Sequence, residues 1–104
     1  MGNRLESVRA DIDKVDLEIV SLLNKRLWLA ISATTAKLAE SEPVLDRGRE
    51  KQVIENICRA NEGPMTDDQL IELYLNLMAQ SRQLQNAYRA DPASVTGKAP
   101  VTGE

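Results

Sequence analysis

The sequence predicts an all-α fold. Apolar residues recur at alternating steps of three and four in three separate stretches, the rhythm of one helix face. Each stretch opens on a capping residue, and Pro or Gly separates it from the next. No stretch shows the strict alternation of a half-buried strand, and no segment repeats.

The first helix is read from about Leu5 to Ala39. Asn3 is placed to cap it, with Glu6 three residues on in the capping-box arrangement. Its stripe is Leu5, Val8, Ile12, Val15, Ile19 and Leu22, and no Gly or Pro interrupts before Pro43. Such a helix is roughly 50 Å long at 1.5 Å per residue, whereas a compact chain of this size has a radius of gyration of about 13 Å. It therefore cannot bury its whole stripe against its own chain. A partner is implied, either a second copy sharing the helix or another protein.

The second helix follows Ser41-Glu42-Pro43. Asp46 is its N-cap, Val53, Ile54, Ile57 and Cys58 form its stripe, and it runs to about Asn61 before the turn at Gly63-Pro64. The third opens with Thr66-Asp67-Asp68-Gln69, a capping box with two carboxylates at the positive helix end. Its stripe is Leu70, Leu73, Tyr74, Leu77, Leu84 and Tyr88, fading near Ala90. Residues 1–90 thus read as one helical domain. Residues 91–104, with two Pro, two Gly and no apolar period, read as a flexible tail.

Composition narrows the chemistry. Thirteen Lys and Arg against 16 Asp and Glu give a net charge of −3 over 104 residues, which is no electrostatic footprint for nucleic acid. The absence of His excludes a Ser-His-Asp triad, a Cys-His pair and imidazole metal ligands. Cys58, the single cysteine, can close no internal disulfide and fits a reducing compartment. The N-terminus lacks the apolar stretch of a signal peptide, and the longest apolar run, Leu27 to Ile31, is too short to span a membrane. A cytoplasmic location is expected, with no metal and no cofactor. Any catalysis must rest on carboxylates, cations, amides and hydroxyls.

Several polar residues fall on the apolar stripes. Continuing the rhythm of the first helix past Leu22 reaches Arg26, Ala30, Ala33 and Lys37. Arg26 and Lys37 are about three turns apart on one face, with small alanines between them. They either flank a shallow floor suited to a small dianion or snorkel to the helix rim. Stepping back from Val53 puts Asp46, Arg49 and Glu50 on the second stripe, as pocket groups or as a cap with an i,i+4 ion pair. Ser81 and Gln85 interrupt the third stripe, and such groups are often satisfied structurally. Arg9 lies roughly 25 Å along the axis from Arg26, too far for both to grip one small ligand within one chain. It is a surface charge, or it enters the site of a second protomer. Burying this set unpaired costs several kcal/mol, so a core that accepts it encloses a polar ligand.

These residues resemble the all-helical, AroQ-type chorismate mutase family. The likeness runs from Leu5 to Tyr88 and rests on VRADIDKVDLEIVSLLNKR, then Lys37, then Pro43-Val44-Leu45-Asp46-x-x-Arg49-Glu50, then Ser81-x-x-x-Gln85. The resemblance implies a three-helix protomer intertwined as a homodimer with two sites, acting on chorismate. It implies that Arg26 holds a substrate carboxylate, and that Arg9 crosses the dimer to hold one too. It assigns Lys37 to a carboxylate and the ether oxygen, Gln85 to the ether oxygen, and Glu50 with the backbone near Asp46 to the ring hydroxyl. Arg49 and Ser81 match lining positions. The chain departs from the family at Thr34-Thr35, at Gly48 and at Arg82, where an aliphatic and a small residue, no glycine, and an apolar residue are usual.

The implied reaction is an intramolecular Claisen rearrangement of chorismate to prephenate, in aromatic amino acid biosynthesis. It needs no nucleophile and no proton relay, so the lack of His is no handicap. Cationic clamps fold the substrate, and donors at the ether oxygen meet charge that grows in the transition state. Isochorismate-pyruvate lyase and 4-amino-4-deoxychorismate mutase are alternatives on the same scaffold. A non-catalytic helical dimerisation module is the alternative of a different class.

Overall fold

A computed structural model describes residues 3–40 and 43–97, the side chains of 36–40 excepted. The described residues form three α-helices, α1 (Arg4–Glu40), α2 (Arg47–Ala60) and α3 (Asp67–Ala90), and then one 3-10 turn at Pro92–Ser94. No strand occurs among the described residues.

α1 starts where Asn3 takes over an orphan amide: its Oδ1 accepts from the Leu5 N–H at 2.8 Å. The helix then runs 37 residues without a break. It gives the molecule a long axis of 60 Å and a radius of gyration of 17.0 Å. Residues 4–25 are exposed throughout. The expected stripe is among them, with Ile12 52% and Leu22 62% exposed. The front of α1 thus has no cover among the described residues of its own chain, as its length requires.

Packing is confined to the other end, where α3 lies against the rear of α1 and against α2. Among the described residues the buried apolar ones are Ile31, Val44, Val53 and Met78. Among the described side chains of α1 the buried ones are Ile31 and Thr34, each one residue beyond Ala30 and Ala33, which border the cavity described below.

The turns are built from local side chains. Asp46 Oδ1 accepts from the Arg49 N–H at 3.0 Å and starts α2. Asn61 organises the α2–α3 connection, donating from Nδ2 to Met65 O and Asp67 Oδ1, both at 2.8 Å, while its Oδ1 accepts from the Gly63 N–H. Gly63 has φ +74°, a conformation that suits glycine. The Thr66–Gln69 capping box is present in full, with Thr66 Oγ1 accepting at 3.1 Å and Gln69 Oε1 at 3.0 Å.

The stretch expected to be a tail begins with structure. Asp91 Oδ1 accepts from the Ala93 N–H, Ser94 Oγ donates to Ala87 O at 3.0 Å, and Val95 borders a small cleft with Trp28 and Leu84. Residues 98–104 lie outside the described residues. No helix among the described residues is long and apolar enough to cross a membrane.

Candidate functional site

The packed end holds a half-open cavity of about 360 Å³. α1 lines it with Arg26, Ala30 and Ala33, and α2 brings Arg49 and Glu50 from its first turn, next to the cap residue Asp46. α3 supplies Ser81, Arg82 and Gln85. Six residues singled out by their inward polar character, Arg26, Asp46, Arg49, Glu50, Ser81 and Gln85, therefore border one space.

The floor of the cavity is a buried polar network. Gln85 is 7% exposed and Thr34 is fully buried. Gln85 Nε2 donates to Ala30 O at 3.0 Å and to Thr34 Oγ1 at 2.9 Å. Thr34 Oγ1 in turn donates to Ala30 O at 3.2 Å. Nitrogen and two acceptors form a nearly equilateral triangle, so the acceptors subtend only about 60° at a nitrogen whose two N–H bonds diverge by roughly 120°. One N–H directed between the acceptors serves both as a three-centre bond and leaves the second free to point elsewhere. Ala30 O can only accept, which fixes the amide with nitrogen towards α1. Ser81 Oγ donates to Gln85 Oε1 at 3.3 Å, and this holds the other side of the amide.

The rim is charged and its charges are sorted. Arg82 Nη1 donates to Glu50 Oε2 in an ion pair across the cavity. Asp46 is engaged with the helix amide of Arg49. Arg49 Nη1 donates to the neutral Gln52 Oε1 at 2.7 Å. The Arg26 guanidinium lies 5.7 Å from the Tyr74 ring centroid, a cation–π contact. Among the described residues, Arg26 and Arg49 thus have no carboxylate in salt-bridge contact. The arrangement suits a small anion with a polar group reaching down to the amide floor.

Two expected site residues stand apart. Arg9 is exposed near the start of α1 and does not border this cavity. The side chain of Lys37 lies outside the described residues. Conversely, Arg82, Thr34 and Tyr74 shape the site without having been singled out as its members. Arg82 lies four residues after buried Met78 and three before buried Gln85, so its helix face was a usable signal. The Tyr74 contact with Arg26 had no signal in spacing.

Known proteins share both the pattern and the shape. The family description "Chorismate mutase type II" matches residues 8–86. A bifunctional chorismate mutase/prephenate dehydratase of Aquifex aeolicus is 29% identical over 93% of this chain. One from Enterobacter agglomerans is 30% identical over 79% of it. The chain spans less than a third of the length of these relatives, 29% and 21% respectively. A solved chorismate mutase (form II) of Thermus thermophilus superposes with a TM-score of 0.78 at 25% identity, over 81% of this chain and 96% of that one. Its helices, its inward polar set and these likenesses agree: the chain belongs to the chorismate mutase type II family.

Proposed function

We propose that this chain is a chorismate mutase, converting chorismate to prephenate by an intramolecular Claisen rearrangement. The observation that carries the reading is the sorted charge of the cavity. Glu50 is paired with Arg82 and Asp46 caps α2, while Arg26 and Arg49 border the space and, among the described residues, have no carboxylate in salt-bridge contact. A dicarboxylate supplies the missing charge.

In this reading Arg26 grips one carboxylate bidentately and Arg49 adds positive potential beside it. Gln85 presents its second N–H to the ether oxygen, and Lys37 reaches the same atom and a carboxylate. As the C–O bond breaks, negative charge grows on that oxygen, so both donors bind the transition state more tightly than the ground state. The C–C bond forms as the enolpyruvyl arm is held folded over the ring, and no proton leaves the substrate. Glu50, with the backbone near Asp46, accepts from the ring hydroxyl, and Ser81 keeps the Gln85 amide from turning.

The second carboxylate is assigned to Arg9 of a second copy. The uncovered apolar stripe from Leu5 to Leu22 supports an intertwined homodimer in which each α1 reaches into the other's site. A non-catalytic dimerisation module accounts for that stripe but not for the buried amide network. The proposed enzyme serves aromatic amino acid biosynthesis in the cytoplasm.

The deciding experiment follows the loss of ultraviolet absorbance on chorismate, isochorismate and 4-amino-4-deoxychorismate side by side, with the products identified. Turnover of chorismate to prephenate is expected. No turnover of chorismate, or pyruvate release from isochorismate, overturns the reading.

A further inference from the structure

We infer that Arg82 is a positioning and specificity residue of this site: by pairing with Glu50 it makes the cavity read an uncharged ring hydroxyl on its dianionic substrate and disfavour a ring ammonium. The inference rests on the function proposed above. Its observation is the Arg82–Glu50 ion pair, which joins the C-terminal half of α3 to the first turn of α2 and borders the same cavity as Arg26 and Gln85. The two side chains are 32% and 26% exposed, so the pair is only partly in water.

Two consequences follow from that placement. The first is geometric. Glu50 carries a long, flexible side chain on the opening turn of a helix, and the guanidinium fixes where its carboxylate sits. Arg82 occupies Oε2, and the other oxygen keeps its lone pairs to accept a hydrogen bond from the ligand. The second is electrostatic. A lone carboxylate lining a pocket for a dianion repels it, and the repulsion strengthens where water is displaced. Paired with Arg82, Glu50 remains an acceptor while its field is largely cancelled.

The same cancellation sets selectivity. A ring hydroxyl needs only an acceptor lone pair, which the paired Glu50 still offers. A ring ammonium gains from a free carboxylate and is opposed by a nearby guanidinium. Arg82 therefore biases the site towards the hydroxyl substrate.

The test measures kcat and KM on chorismate and on its 4-amino-4-deoxy analogue. It uses the full chain and Arg82→Met, Arg82→Lys, Glu50→Gln and the Glu50→Gln/Arg82→Met double variant, with thermal melts for each. Arg82→Met is expected to lower kcat/KM on chorismate about ten- to a hundredfold, the worth of a charged hydrogen bond, mainly through KM. Its loss on the amine analogue is smaller, so the preference narrows. Arg82→Lys restores part of the activity, and in the Glu50→Gln background the Met substitution costs little more. An equal loss on both substrates, or an undiminished loss in the Glu50→Gln background, overturns the inference, because Arg82 then acts on the ligand directly or only on the fold. So does an Arg82→Met protein as active as the parent. Should Arg82→Met not fold, Arg82→Gln takes its place in each comparison. A parent protein that acts on neither substrate removes the proposed function itself, an outcome distinct from an active parent indifferent to Arg82.

Discussion

Gln85 Nε2 donates to Thr34 Oγ1 at 2.9 Å, tying α3 to α1 through two buried polar side chains. Thr34→Val keeps the shape of the side chain and deletes this acceptor. The expected cost is about 1 kcal/mol of stability, the net worth of one hydrogen bond. For a domain of this size that lowers Tm by roughly 4–8 °C. Turnover falls through kcat more than KM, because the amide is then held against α1 by Ala30 O alone and is less firmly aimed. Thr34→Ser keeps the oxygen and stays close to the parent. Thermal melts and steady-state kinetics on the two variants check the pair.

The Gln85 amide also sets a pH dependence. Gln85→Glu places a carboxyl against Ala30 O, which can only accept, in a buried position. The protonated form alone can donate there, and burial penalises the charged form, so the variant's carboxyl is pushed above its ordinary range. Stability is then complete below the unfolded-state value and is lost as pH rises through the higher folded-state value. The carboxyl has a single O–H, which must turn from Ala30 O to the ether oxygen during turnover, so activity also requires the protonated form and stays below the parent's even in acid. Rate and melting profiles of the variant should both favour acid, and a flat rate profile removes Gln85 from the ether oxygen.

The proposed sharing of the site between two copies makes a complementation prediction. Arg26→Ala and Lys37→Ala are each expected to cost about 2–4 kcal/mol of transition-state stabilisation, as for loss of an oxyanion donor. Arg9→Ala is expected to be similarly poor. Mixing unfolded Arg9→Ala with unfolded Arg26→Ala and refolding them together creates hybrid dimers with one intact site. Activity should return to about a quarter of the parent level at equal amounts. Each variant refolded alone stays inactive, and a mixture no better than its components means that Arg9 does not cross the dimer.

Cys58 is set to be slow with electrophiles. Burial, then the nearby Asp67 and Asp68 carboxylates, push its thiol above the ordinary range. The thiolate is the reactive form, so alkylation near neutral pH should lag behind a free cysteine and accelerate only at higher pH. A pH–rate profile with iodoacetamide checks this. Asp67→Asn with Asp68→Asn moves the profile towards lower pH.

The parts of the fold that were legible are those decided locally. Asp46 and the Thr66–Gln69 box specify helix starts by hydrogen bonds to amides three residues away, and the fold uses both. The polar set at the cavity was legible because charged groups on an apolar stripe are costly unless something uses them. Ile31 and Thr34 were missed because the three-and-four rhythm carried along α1 leads to the cavity face, Arg26, Ala30 and Ala33, and the residues buried against the rest of the chain lie one position further round. Arg82 with Glu50, 32 residues apart, and Arg26 with Tyr74 are tertiary pairings with no periodic signature. Arg82 registered in the sequence only as a departure from the family pattern.

The bare front half of α1 carries a consequence for how the protein survives dilution. Among the described residues only four apolar side chains are buried, so the chain by itself removes little apolar surface from water to offset the entropy lost on ordering. On the proposed dimer the balance is supplied by association, so mass action governs folding and the melting midpoint climbs with protein concentration. Thin solutions then behave like a mild denaturant, and output per chain drops with copy number although no residue has changed.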